Sequence, residues 1–241
     1  MNNFENKKQK QKKIQQPCQS AFSAYQVNQI VVTDLANMAQ DAALLQLAED
    51  SKGNIDAAIA TLGVNEPFGW TLQQLMDVEY TLTTTFAQFC HDALDVKYIS
   101  LLTMAGTTRD SPFSAEELET EISYFNVFDL APRVKGEIET AVLAVGIPYT
   151  TFIRPANFET DEYRFGALDW FAQAMCTVAN LFVPSEWHSI HVNDIAKAMF
   201  ADVNKATDGI AQAGETVGPK ERIMQYDELM AASESTTTKE L

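Results

Sequence analysis

The chain has 241 residues, 46% of them hydrophobic, enough for one domain to bury most of its unfolded surface without a disulfide or metal staple. Its three cysteines, Cys18, Cys90 and Cys176, stand far apart with no CxxC pair, which argues against a disulfide framework or a zinc site and for a reduced, intracellular protein. The net charge of −16 is uneven: the first thirteen residues, rich in lysine, carry +4 and the remainder −20, so the body of the protein would repel nucleic acid and acidic membranes.

The opening run NKKQKQKKIQQ reads as a solvated arm, or alternatively as an import or docking signal. No secretory core follows it and no apolar run reaches ~18 residues, so a soluble protein is expected, cytoplasmic, or nuclear if the arm is an import signal. QIVVTDL (29–35) is a β-branched run ending near Asp34 and predicts a buried strand. MAQDAALLQLAED (38–50) repeats Ala42, Leu45 and Ala48 at helical spacing, and Gly53 closes it. NIDAAIATLG (54–63) predicts the next strand. From Thr71 to Leu94, Leu72, Leu75, Met76, Leu82, Phe86, Phe89 and Ala93 lie on one face of a long helix.

KYISLLTMAG (97–106) predicts a third strand. In the insertion that follows, Ser114 and Glu117 form a capping-box pattern ahead of a short acidic helix. A longer helix is predicted with Pro132 in its first turn, a stripe of Val134, Ile138, Ala141, Val142 and Val145, and Gly146 at its end. YTTFIRP (149–155) is a fourth strand and FGALDWFAQAMCTVANLF (165–182) a helix. SIHV (189–192) is a short extended piece before the helix NDIAKAMFADVNKA, with a last strand near Glu215–Val217 and a short helix near Gln225–Ala232. Alternating strands and helices predict an α/β fold with a doubly wound, mostly parallel sheet. The expected organisation is a tail over 1–27, a Rossmann-like domain over 28–232 and a second tail over 233–241.

The run VKGEIETAVLAVGIPYTTFIRPANF (134–158), followed by HSIHVNDIAKAMFADV (188–203), resembles the second half of an atypical short-chain dehydrogenase. It is most similar to the Tat-interacting-protein-like oxidoreductases, and NmrA-like proteins and sugar-nucleotide epimerases are more distant. IATLG, DVEYTL and KYISLLTMAG fall in the same order, so the resemblance spans about 28 to 230; the order is more specific than any one motif. It implies an NAD(P)-binding fold and NADP or NAD as cofactor. In that family a glycine-rich turn lets backbone N–H groups meet the pyrophosphate at a helix N-terminus. Here the first glycine is Gly53 and residues 1–28 hold no GxxGxxG, so the first βαβ unit is expected to be missing, through loss or through a truncated gene model. The strand at IATLG would then lose its neighbour: either QIVVTDL pairs there or an edge stays open.

The resemblance places a catalytic serine at Thr103, whose hydroxyl retains the donor, and the lysine of a Tyr-x-x-x-Lys pair at Lys135. The tyrosine position is Ala131. Residues i and i+4 share a helical face, and this is how the lysine charge reaches the phenol that exchanges a proton; alanine cannot do this. Tyr124 is a poor substitute, roughly 16 Å away along a helix. The resemblance further places Asp34 near the adenine, Leu62 and Gly63 beside the dinucleotide, and Arg154 and Pro155 near the nicotinamide. Thr103, Gly63 and Arg154 also have purely structural explanations: strand-end threonine, turn glycine, ion-paired arginine. His188 and His191, with Asp194, lie in an extended piece where their spacing sends the imidazoles to opposite faces, so no metal site is expected, and Asp194 suits a helix start. Phe165, Trp170, Phe171, Phe182 and Trp187 read as core, or as a cleft wall or partner surface.

Two functions follow: an NAD(P)-dependent oxidoreductase, active if the missing unit exists, or a cofactor-free regulatory protein on a decayed scaffold, with a protein partner or self-association.

Overall fold

The structure, a computed structural model, describes residues 35–64, 67–160, 175, 180–213 and 220–237. Leu35–Gln40 forms a 3₁₀ segment and α1 spans Ala42–Ser51. Asp41 caps α1 by accepting from the amides of Ala43 (2.9 Å) and Leu44 (3.1 Å), supplying acceptors to donors the first turn leaves free. The predicted strand QIVVTDL lies outside the described residues except for Leu35. The buried face of α1 is Leu44 and Ala48; Ala48 belongs to the expected stripe, but Leu44 is buried in place of Leu45, which is exposed. Strand β1 is Ala57–Ala60, and helix α2, Leu72–Asp92, starts at a capping box between Thr71 and Gln74. Strand β2 is Tyr98–Leu102 and α3 is Ala115–Leu118, begun by the expected Ser114 and Glu117 box.

Helix α4, Val127–Val145, begins five residues before Pro132, which sits inside it and not in its first turn. Gly146 ends α4 with φ +87°, a conformation that favours glycine. Strand β3 is Tyr149–Ile153; β4, Asn157–Glu159, pairs in parallel with β5, Ser189–His191. Helix α5 spans Val192–Ala213, β6 spans Lys220–Met224 and α6 spans Tyr226–Thr237. The last sheet strand is therefore β6; the stretch 215–217, expected to hold it, lies outside the described residues, as does 165–182 apart from 175 and 180–182.

The main sheet has the order β1-β2-β3-β6, every pair parallel and each joined through helical crossovers. Alternation along the strands assigns its two faces. Ile153 and Met224, with half-buried Leu102, pack with Ile190, Ile195, Ala198 and Met199 and with Leu229 of α6, so α5 and α6 cover one face. The residues one step away, Thr103 and Arg154, reach Glu139 of α4, and α4 packs on α2, so these two helices cover the other face. This is a Rossmann-like doubly wound arrangement, and it sends the residues at the carboxyl ends of β1, β2 and β3 toward α2 and α4.

Candidate functional site

Glu139 is the centre of the site. Its side chain is fully buried on α4 and accepts from Thr103 Oγ1 (2.8 Å), Arg154 Nε (3.0 Å) and Nη2 (2.5 Å), and Arg109 Nε (2.8 Å). Arg109 also binds Glu221 of β6 at 2.5 Å and stacks over the Phe152 ring, 4.8 Å from its centroid. Burial works against the Arg109 charge, but the hydrogen bonds to Glu221 and Glu139 hold its pKa above the ordinary arginine value. The structure thus brings Thr103 and Arg154 together and commits both side chains to one carboxylate. Pro155 is buried next to them, its carbonyl accepting from Ala105 N (2.9 Å).

A second buried pair lies at the end of β1. Lys135 Nζ meets Glu79 Oε2 at 2.8 Å, with little of either side chain exposed, and Glu79 Oε1 accepts from the Val64 amide at 2.6 Å. Gly63 lies against this pair: a Cβ there would stand 3.7 Å from Glu79 Oε1 and 3.9 Å from Lys135 Nζ. Such contacts are ordinary, so glycine is not forced sterically at Gly63. Leu62 is half-buried beside it. Ala131 is one turn before Lys135 and Glu139 one turn after, so the three occupy one stripe of α4. Asp34 lies outside the described residues. Tyr124 precedes α4, largely exposed and stacked on Phe68 at 3.9 Å between centroids.

Gly136 makes the closest approach in the site region. A Cβ at that position would fall 1.7 Å from the Thr108 carbonyl oxygen, so only glycine lets α4 lie against the loop that carries Arg109. Gly106, with φ +75°, faces Trp187, which is half exposed; Phe182 is exposed, and Phe165, Trp170 and Phe171 lie outside the described residues. His188 Nε2 is 3.0 Å from the Val183 carbonyl, with its ring edge-on to Tyr226, and His191 Nδ1 accepts from Asn193 N (3.2 Å). Asp194, in the first turn of α5, binds Ser233 and Lys197. Among the described residues no cluster of three His, Cys, Asp or Glu side chains could hold a metal, and no helix is long and apolar enough to cross a membrane. Cys90 is a buried free thiol, pushed up to about 12 by burial.

Sequence patterning did not single out Glu79, Glu139, Arg109 or Gly136. Two carried a signal. Glu79 interrupts the buried stripe of α2 between Leu75 and Thr83, and Glu139 follows Lys135 by four residues on the core-facing side of α4. A charge in a core stripe demands a partner.

No family model and no curated protein sequence matches the chain. Among solved structures it is similar to the UDP-N-acetylglucosamine 4-epimerase of Bacillus cereus, with 14% identity over 77% of this chain and 63% of that chain and a TM-score of 0.41. It is similar also to the UDP-glucose-4-epimerase of Stenotrophomonas maltophila with bound NAD and formylated UDP-arabinopyranose, with 14% identity over 80% and 61% and a TM-score of 0.49. A third is MoeE5 in complex with UDP-glucose and NAD, with 16% identity over 86% and 68% and a TM-score of 0.45. The chain spans less than two thirds of the length of the first two.

Proposed function

We propose that this is an NAD(P)-binding-fold protein of the atypical short-chain dehydrogenase type whose oxidoreductase chemistry is impaired or lost, and that it acts as a regulatory or interaction protein. The observation that carries this reading is the Glu79–Lys135 pair beside Gly63, one helical turn from Ala131. As arranged, these residues do not fit the NADP or NAD that the sequence resemblance implies. The lysine charge and the Val64 amide are both used by Glu79, which presents a carboxylate where a polyanionic dinucleotide would approach. Thr103 and Arg154 are likewise held by Glu139, and no phenol stands at Ala131 to exchange a proton. Tyr124, Phe125 and Phe128, exposed side by side at the start of α4, are the surface we assign to a protein partner.

A second reading is an active NAD(P)H-dependent reductase completed by an upstream glycine-rich unit. It draws on β1, whose outer edge pairs with no strand among the described residues and whose Ile59 is exposed. The first reading is tested in an assay of the wild-type chain and Ala131→Tyr against quinones, aldehydes and ketones with NADH and with NADPH. Neither is expected to show turnover, because restoring the phenol leaves Lys135 paired. Turnover by either one overturns the first reading.

A further inference from the structure

We propose that the amino ends of β2, β3 and β6 form a binding site for a small organic anion, apart from the carboxyl-end site. A cavity of about 380 Å³ lies there between the sheet and α5, within the size range of small-molecule sites. Two acids line it, and the protein neutralises both. Asp202 is 4% exposed, and its Oδ2 accepts from the Tyr98 hydroxyl at 2.6 Å while Oδ1 binds Arg222. Glu221 points to the other face of the sheet and holds Arg109. The Tyr98 phenol stays a donor, because burial and then the Asp202 carboxylate push its pKa well above the ordinary tyrosine value.

The cations are left over. Lys205 and Lys220 line the same cavity, and among the described residues neither has a carboxylate partner. Lys220 Nζ sits instead over the Tyr149 ring, 5.5 Å from its centroid. In a chain of net charge −16, a cavity whose acids are satisfied and whose two lysines are spare is a local reversal of sign. Gly209 of α5 opens the wall: a Cβ there would meet nothing within 4 Å. The ligand chemistry is that of a phosphate or carboxylate, bound by the two ammonium groups, on a body small enough to lie against Tyr149.

Isothermal calorimetry at fixed ionic strength with pyrophosphate and with citrate as probes tests this. The wild-type chain is expected to bind at least one of them saturably, with a phosphate ligand favouring pyrophosphate and a carboxylate ligand favouring citrate. The double substitution Lys205→Ala/Lys220→Ala is expected to weaken that binding at least tenfold; both side chains are exposed, and the Lys220 amide keeps its bond to the Pro148 carbonyl. Gly209→Leu fills the space from within a helix, where leucine is the better helix former, so it is expected to abolish binding without lowering the melting temperature. Wild-type chain that binds neither anion, or variants that bind as tightly as wild type, would overturn the proposal.

Discussion

The two ends of the parallel sheet treat charge differently. At the carboxyl ends, Glu139 answers Arg109 and Arg154, and Glu79 answers Lys135, all with largely buried side chains. At the amino ends, Arg222 answers Asp202, but Lys205 and Lys220 remain exposed and, among the described residues, without a carboxylate. Buried ions away from water depend on their partners, since removing one partner strands the other, whereas exposed lysines lose little when cut back. The carboxyl end is thus closed on itself, and the amino end keeps charge available.

The largest break in that contrast is expected from Glu139→Ala. It strands the Arg154 guanidinium, leaves Arg109 with Glu221 alone and takes the nearer acceptor from the Thr103 hydroxyl, and should cost about 3–5 kcal/mol in urea denaturation. A cost near that of a surface substitution would show that the carboxyl-end cluster is solvated. Gly136→Ala comes next. Its methyl group would meet the Thr108 carbonyl oxygen, so α4 and the Arg109 loop must part, at about 3 kcal/mol by the same measurement. Little or no destabilisation would mean that this loop yields freely.

The smallest effect is expected outside both clusters, at Glu117. The hydrogen bond from Arg133, and then those from Ser114, lower its pKa to about 2. A folded-state pKa below the unfolded one means a contribution present in full above the ordinary glutamate range and lost as pH falls through about 2. Glu117→Gln should therefore melt slightly below wild type at pH 7, and the two melting temperatures should converge near pH 2. A gap that widens on acidification would reverse the assigned sign.

Much of the fold was legible because it rests on local signals: the Ser114 capping box, the Gly146 helix end, and the apolar cores of β2 and β3. Thr103, Arg154, Gly63 and Lys135 were placed at strand and helix ends by the resemblance, and the parallel sheet does gather them at its carboxyl end. What was not legible is long-range. Strand β6 reads KERIM, and only Met224 is buried; Glu221 and Arg222 are explained by Arg109 and Asp202, which no local pattern joins to them. Helix α4 starts before Pro132 because the chain ahead of it, from Asn126, already turns into the helix, a choice that proline statistics alone do not give. Glu79 and Glu139 looked like two of many acids. Burial against Lys135 and two arginines is a property of packing, and only their places in otherwise core-facing stripes hinted at it.

The closed carboxyl end is the central claim, and titration of the wild-type chain with NADPH and with NADH, followed through the fluorescence of Trp70, Trp170 and Trp187, tests it most directly. The account predicts no saturable change for either nucleotide, because Glu79 holds Lys135 and the Val64 amide. Saturable binding at micromolar concentration would contradict it.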